Sequence, residues 1–344
     1  MTITSQPVLV TGASGFVAIH CIVQLLEQGY QVRGTLRTMT REKEVRETVR
    51  KYLNADNGLE FVNADLIQDA GWEQAVHGCE YVFHVASPFP LLEPEHENDL
   101  IQPAVEGTLR VLRAAHSARV KRVMLVSSNA AISAGHNREN RTFTEEDWSR
   151  LDRPIGAYSK SKTLAERAAW DFINGAENIH KMELVTINPP LIMGPVPDKN
   201  FPTSAEMLRT FMRGEVPGVA RLKIGLVDVR DVALALILAM TTPEATGNRF
   251  ACPAATIWIK ELADILNKQF SGRGYTKIPK VVIPVFLVRV LALFDKRIAL
   301  VTPSLNWDFE LSNAKIKRIL NWQPRSKEEA ILSMAESLID QGFV

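Results

Sequence analysis

Tyr158 and Lys162 are a phenol and an amine four residues apart, in the run Ala157-Tyr158-Ser159-Lys160-Ser161-Lys162-Thr163-Leu164-Ala165-Glu166. On a helix that spacing stacks two side chains on neighbouring turns of one face, with the ammonium close beneath the hydroxyl. The chemistry on offer is proton transfer. A phenol ordinarily titrates near about pH 10, and a positive charge close by favours its ionised form by roughly one to three units. Taken alone, the pair also fits an exposed tyrosine beside a solvated lysine. Upstream, the apolar run Arg122 to Val126 reads as a strand that ends in Ser127-Ser128-Asn129-Ala130, so two hydroxyls stand at a strand end.

The second chemical feature is at the start of the chain. Pro7 to Thr11 reads as a short strand, and Gly12-Ala13-Ser14-Gly15-Phe16-Val17-Ala18 opens a helix whose apolar residues Phe16, Ile19, Val23, Leu25 and Leu26 recur at helical spacing. Strand, tight turn and helix make a cradle for a diphosphate. Gly12 lets the chain reverse, Gly15 allows close approach of the anion, Ala18 permits tight helix packing, and the helix N-terminus offers N–H groups. Thr11, Gly12, Ser14, Gly15, Phe16 and Val17 are therefore expected to hold a dinucleotide. The next strand, Tyr30 to Leu36, runs into Arg37 where NAD sites place a carboxylate for the ribose 2'-hydroxyl. A guanidinium there suits a 2'-phosphate, so the expected cofactor is NADP (NADPH), with Arg37 and secondarily Lys43 on the phosphate. Arg41 and Lys43 are interleaved with Glu42, Glu44 and Glu47, which also fits a solvated helix face.

Further strands are read at Leu59 to Asn63, leading into Asp65-Leu66, and at Tyr81 to Val85, leading into Ala86-Ser87-Pro88. In an open parallel sheet the ligand lies beyond the C-terminal strand ends. That places Asp65 and Leu66 near an adenine, and Val85, Ala86 and Ser87 along the cofactor. His84, inside an apolar run, is read as a core histidine. Asp99 to Ser117 is a long helix, and Glu183 to Asn188 a strand ending in Pro189-Pro190.

Composition bounds the alternatives. The chain has 344 residues, enough for two domains, with 40 basic and 39 acidic side chains scattered along it. No charge excess favours nucleic acid as a partner. Cys21, Cys79 and Cys252 lie far apart without metal-ligand spacing, which suits buried thiols in a reducing compartment and no metal site. No secretory signal is evident, and the expected location is cytoplasmic. The apolar window Val281 to Phe294 is shorter than the roughly 20 residues of a membrane span and contains Pro284 and Arg289. It is read as a buried or interface helix, with no membrane partner and a monomer or homodimer expected.

Taken in order, the glycine loop, Asp65-Leu66, His84-Val-Ala-Ser-Pro, Ser127-Ser128, Tyr158-x-x-x-Lys162, Asn188-Pro189 with Gly194-Pro195, and Val227-Asp-Val-Arg-Asp-Val-Ala233 resemble the extended short-chain dehydrogenases/reductases. Within these the chain looks most like the dihydroflavonol 4-reductase and aldehyde/ketone reductase branch. The resemblance implies an α/β fold: a Rossmann-type doubly wound parallel sheet with a smaller, mostly helical C-terminal substrate lid. The dinucleotide domain is expected over residues 1–190 plus roughly 226–252, and the substrate domain over 191–225 and 253–344. It further implies Tyr158 as general acid, Lys162 as tuner of its pKa and binder of the nicotinamide ribose, and Ser128 as donor to a substrate carbonyl, with Ser127 as alternate. The segment holding Pro189 would face the nicotinamide. The activity so implied is NADPH-dependent reduction of an aldehyde or ketone with an apolar body. Candidate pocket walls are Phe89, Ile132, Pro190, Met193, Phe201 and Phe211.

Two departures from the family pattern stand out. Ala104 replaces an Asn that supports a proton relay in many members, and Ile132 replaces an Asn that touches flavonoid hydroxyls, which counts against a flavonoid substrate. A nucleotide-sugar epimerase or dehydratase is the alternative enzyme. The Asn129-Ala130-Ala131 run after Ser128 lacks the acid pair of dehydratases, and Arg37 disfavours the NAD of epimerases. A non-catalytic NADP-binding regulator is the third reading, against which the retained Tyr158 and Lys162 argue. Asp228, Arg230 and Asp231 are read as a structural ion-pair network.

Overall fold

The structure is a computed structural model and describes residues 6–54, 56–88, 94–200, 202–294 and 296–344. Phe89 and Phe201 lie outside them. The main sheet is built from β1 (Val8–Val10), β2 (Val32–Leu36), β3 (Leu59–Asn63), β4 (Tyr81–His84), β5 (Arg122–Val126), β6 (Glu183–Asn188) and β7 (Arg249–Ala251). These seven strands lie in the order β7-β6-β5-β4-β1-β2-β3, and every pairing is parallel. Helices cover both faces, so the strands are apolar on both sides; β1 and β5 are buried at every position. The helices that matter for the site are α1 (Phe16–Glu27), α2 (Glu42–Arg50), α3 (Trp72–Val76), α4 (Asn98–Ser117) and α5 (Gly156–Asn174).

The order has a direct consequence for the site. From β1 the chain first builds outward through β2 and β3, then returns to the other side with β4, β5, β6 and β7. Loops leaving β1 and β4 therefore diverge, and a crevice opens at their C-terminal ends. Gly12, Ala86 and Ser128 all lie just past such ends.

Residues beyond β6 add a second layer. Leu191–Met193, Lys223–Asp228 and Ala255–Trp258 form a three-stranded sheet, and helices Thr203–Arg213, Ile259–Phe270 and Lys327–Asp340 pack with it around Leu226, Leu262, Leu266, Phe270, Ile331 and Met334. This second layer is thus helical with a small sheet at its heart. Helix Val229–Thr241 instead packs on α1, completing the main core with Trp322. Its N-terminus is capped by Asp228, which accepts from the Arg230 amide at 2.8 Å and from the Arg230 side chain at 2.7 Å. Arg230 reaches Glu329 at 3.2 Å and Asp231 pairs with Arg325, so the network ties this helix to the last one.

The helix in the apolar window runs Val285–Leu291 and is not buried: Val288 is covered, whereas Phe286, Leu287, Val290, Leu291, Leu293 and Phe294 are exposed. Among the described residues no helix is long and apolar enough to cross a membrane.

Two imidazoles inside this fold predict its response to acid. His20 and His84 are buried, and burial lowers them to about 4 and about 3 respectively; for His20 the Pro195 carbonyl 3.0 Å away acts in the opposite sense, and for His84 the Lys162 ammonium adds to the lowering. Their unfolded counterparts take up protons from about pH 6.5 downward, so the unfolded state binds more protons and stability falls as pH drops toward about 4. Each imidazole contributes up to about 1.4 kcal/mol per pH unit in that window. Urea midpoints measured from pH 7 to pH 4 should fall accordingly, and less steeply in His20→Gln.

Candidate active site

The loop after β1 is held by hydrogen bonds that leave its surface open. The Gly12 amide donates to Thr35 Oγ1 at 2.9 Å, the Ala13 amide to the Thr35 carbonyl at 2.9 Å, and the Gly15 amide to the Gly12 carbonyl at 2.8 Å. Thr11 is fully buried beneath the loop. Its Oγ1 accepts from the amides of Val85 at 3.1 Å and Ala86 at 2.9 Å, so its own hydrogen goes to His84 Nδ1, 3.0 Å away. Thr11 and His84 therefore brace the two loops that flank the crevice. Gly12 has φ +67°, and a Cβ there would lie 3.0 Å from the Ala86 Cβ. Gly12→Ala carries a left-handed strain of about 1 to 3 kcal/mol and pushes Ala86 toward the crevice. A lower melting temperature and weaker dinucleotide binding, read by calorimetry, are the expected results.

The crevice is one continuous cleft of about 1780 Å³. One end is lined by Gly12, Ser14, Gly15, Phe16 and Val17, then by Arg37, Arg41, Asp65 and Leu66, and along the middle by Val85, Ala86 and Ser87. The first turn of α1 starts there without a side-chain cap. Arg37 is exposed and makes no side-chain hydrogen bond or ion pair with the described residues. Arg41, for which a solvated helix face was one fit, turns inward: its Nη1 donates to Ser14 Oγ at 2.8 Å, its Nε to Glu44 at 3.1 Å, and its Nη2 is buried without a partner among the described residues. A buried donor left open next to Arg37 is what a phosphate would satisfy. Lys43 lies differently. It stands exposed on α2, 3.9 Å from Glu47, in a shallow hollow outside the cleft.

At the other end Ser128 and Tyr158 meet. Ser128 caps the short turn Asn129–Ala131, accepting from the Ala130 amide at 3.1 Å, and its hydroxyl is hydrogen-bonded to Tyr158. Burial raises the Tyr158 phenol above its ordinary range, with the Ser128 bond acting the other way. With the phenol raised in this way, Tyr158 keeps its proton at neutral pH. Lys162 is buried. Burial lowers it to about 8, against the Glu166 carboxylate, which raises it.

Several expected contacts do not reach the cleft surface. Ser127 is turned away, donating to Glu166 Oε2 at 2.5 Å, so Ser128 is the hydroxyl that faces the opening. Pro189 is buried, its carbonyl accepting from the Asn129 amide at 2.9 Å. Ile132, Met193 and Phe211 are core residues, packed respectively with Phe143 and Trp307 and into the second layer, where their bulk fills space between elements. Pro190 does line the cleft, with Leu191, Ile192, Leu222, Ile224, Trp307 and Phe309. Thr35, Arg41, Trp307 and Phe309 are cleft residues absent from the sequence expectation. The tryptophan and phenylalanine come from an edge strand region near Glu310–Leu311 that pairs with Thr142–Phe143, a contact across the chain that no local pattern announces.

The model of the NAD dependent epimerase/dehydratase family matches residues 8–252. The chain belongs to this family. Among its relatives in that family, the "Putative anthocyanidin reductase" of Ginkgo biloba is 36% identical over 282 residues, covering 76% of this chain and 80% of the relative. The "Ketoreductase azaE" of Aspergillus niger is 34% identical over 281 residues, covering 76% and 82%. Among solved structures, yeast methylglyoxal/isovaleraldehyde reductase complexed with NADPH superposes with a TM-score of 0.81 at 28% identity, over 98% of this chain and 100% of that one. The glycine loop, the strand order and the Tyr158/Lys162 helix all fall within the matched family segment.

Proposed function

We propose that the protein is an NADPH-dependent carbonyl reductase that converts an aldehyde or ketone with an apolar body into an alcohol. The observation that carries this reading is the Ser128–Tyr158 hydroxyl pair at the apolar end of a cleft whose other end is a phosphate cradle with two guanidiniums. Relatives named as reductases, and the NADPH complex of the yeast reductase, support it.

The residues present fit the dinucleotide: a glycine turn that a Cβ would obstruct, an open buried guanidinium donor on Arg41, and the Lys162 amine one helical turn beyond Tyr158. Gly12, Ser14, Gly15, Phe16 and Val17 would hold its diphosphate, Arg37 and Arg41 its 2'-phosphate, Asp65 and Leu66 its adenine, and Lys162 its nicotinamide ribose. Val85, Ala86 and Ser87 would flank it. When bound, NADPH supplies the hydride. The chain's own part is at oxygen. Ser128 and Tyr158 donate to the carbonyl, stabilise the negative charge that collects there, and Tyr158 passes its proton to give the hydroxyl. Solvent returns a proton to the phenolate. Pro190, Leu191, Ile192, Trp307 and Phe309 offer an apolar wall to the rest of the substrate and keep water from it. Residues 191–225 and 253–344 form the substrate-binding part, and 1–190 with roughly 226–252 the dinucleotide part, in this reading.

NADPH oxidation followed with a panel of apolar aldehydes and ketones, alongside sugar nucleotides, tests the proposal. Turnover of carbonyls and none of sugar nucleotides is the expected result; no turnover of any carbonyl would overturn it.

A further inference from the structure

Glu166 lies one turn beyond Lys162 on α5, is 1% exposed, and is the most heavily hydrogen-bonded side chain near the site. Its Oε2 accepts from Ser127 Oγ at 2.5 Å, at the end of β5, and from Asn188 Nδ2 at 2.7 Å, on β6. Its Oε1 accepts from Arg249 Nε at 2.6 Å, on β7, lies 3.0 Å from the Thr186 hydroxyl of β6, and receives Trp170 Nε1 at 3.4 Å. Asn188 also donates to the Ser128 carbonyl at 3.2 Å. Arg249 is held in turn by the carbonyls of Glu145 and Asp147 and stacks on Trp148, with its guanidinium 3.6 Å from the ring centre.

One carboxylate thus joins the helix that carries Tyr158 and Lys162 to three strands, and it grips the residue next to Ser128. A surface helix would not spend a buried, fully bonded carboxylate on stability alone, since such ion pairs are on average no more stabilising than apolar residues of the same volume. We propose that Glu166 is a positioning residue of the reduction, which sets the Tyr158 helix in register with the Ser128 strand end and places its negative charge one helical turn from Lys162. The groups that act on the Lys162 charge are consistent with this. Glu166 favours the charged amine. His84, from β4, is neutral at physiological pH, and Tyr158 on the same helix keeps its proton. The inference rests on the reductase reading for its function, but its electrostatic core is measurable without turnover.

The experiment is the titration of Lys162, followed through its side-chain 13Cε resonance, assigned by loss of the signal in Lys162→Arg, in the wild type, Glu166→Gln and Arg249→Met. Removing the carboxylate should lower the Lys162 midpoint by about one unit or more. Removing the guanidinium leaves the carboxylate's field on Lys162 less compensated and should raise it. The alkaline limb of kcat/KM with NADPH should move in the same two directions, whereas a merely structural role lowers activity evenly across pH. If only one variant folds, the direction of its shift decides. Unmoved midpoints, or shifts of the same sign in both variants, overturn the proposal. So does failure of both variants to fold, because the pair's part would then be to hold the chain together. A midpoint that moves while the kinetic limb stays fixed overturns the part of Glu166 in the reduction, whereas absence of turnover with any carbonyl in the wild type is the separate failure of the reductase reading.

Discussion

Tyr158→Phe should lower kcat/KM by about 10³-fold while leaving NADPH binding nearly unchanged. The substitution removes one oxygen and keeps the ring. What is lost is the proton that the carbonyl oxygen takes and half of the donor pair that stabilises its charge. Because burial keeps the phenol protonated, the wild type should hold its activity through neutral pH. Kinetics and a fluorescence titration with NADPH, run on the same preparation, separate the two effects. Equal losses in both would make Tyr158 a structural residue.

The second large effect concerns the cofactor. Arg37→Ala combined with Arg41→Ala should weaken NADPH by about 100-fold, the worth of two charge-assisted contacts at roughly 1.5 kcal/mol each, and leave NADH almost unaffected. Arg37→Asp alone should act in the same sense by placing a carboxylate against the phosphate. Dissociation constants for the two dinucleotides decide the matter through their ratio. A ratio that stays put would show that neither guanidinium reads the 2'-phosphate. Arg41 is expected to matter because its Nη2 is buried, open and already oriented by Ser14.

How much of this was legible in the sequence depends on whether the signal is local. Strands β3, β5 and β6 fall where the apolar runs and turn residues put them, and α4 begins within a residue of expectation, because periodicity and punctuation are written in neighbouring residues. The glycine loop and the Tyr158/Lys162 spacing belong to the same class. The direction of Arg41 was not legible, because a guanidinium among glutamates fits a solvated helix face as well as a phosphate contact; it is set by a turn at Met39–Arg41 that swings it onto Ser14. Lys43, two residues on, points the other way for the same reason. Ile132 and Met193 looked like pocket walls from their place in the chain, but whether an apolar side chain faces a cleft or a core is decided by elements far away. Glu166 carried no local sign at all: its partner Arg249 is 83 residues distant, and only the sheet brings them together. The five-residue helix α3 is short enough that tertiary packing, rather than propensity, defines it.

The three cysteines bear on the chemistry from the opposite side. Cys21, Cys79 and Cys252 are all unpaired and buried, and burial pushes each thiol up, Cys79 to about 11. Aldehydes and conjugated ketones are electrophiles that modify proteins through thiolates, and it is the ionised sulfur that attacks. This chain presents none to solvent, so a catalyst of such compounds built this way resists being alkylated by its own feedstock.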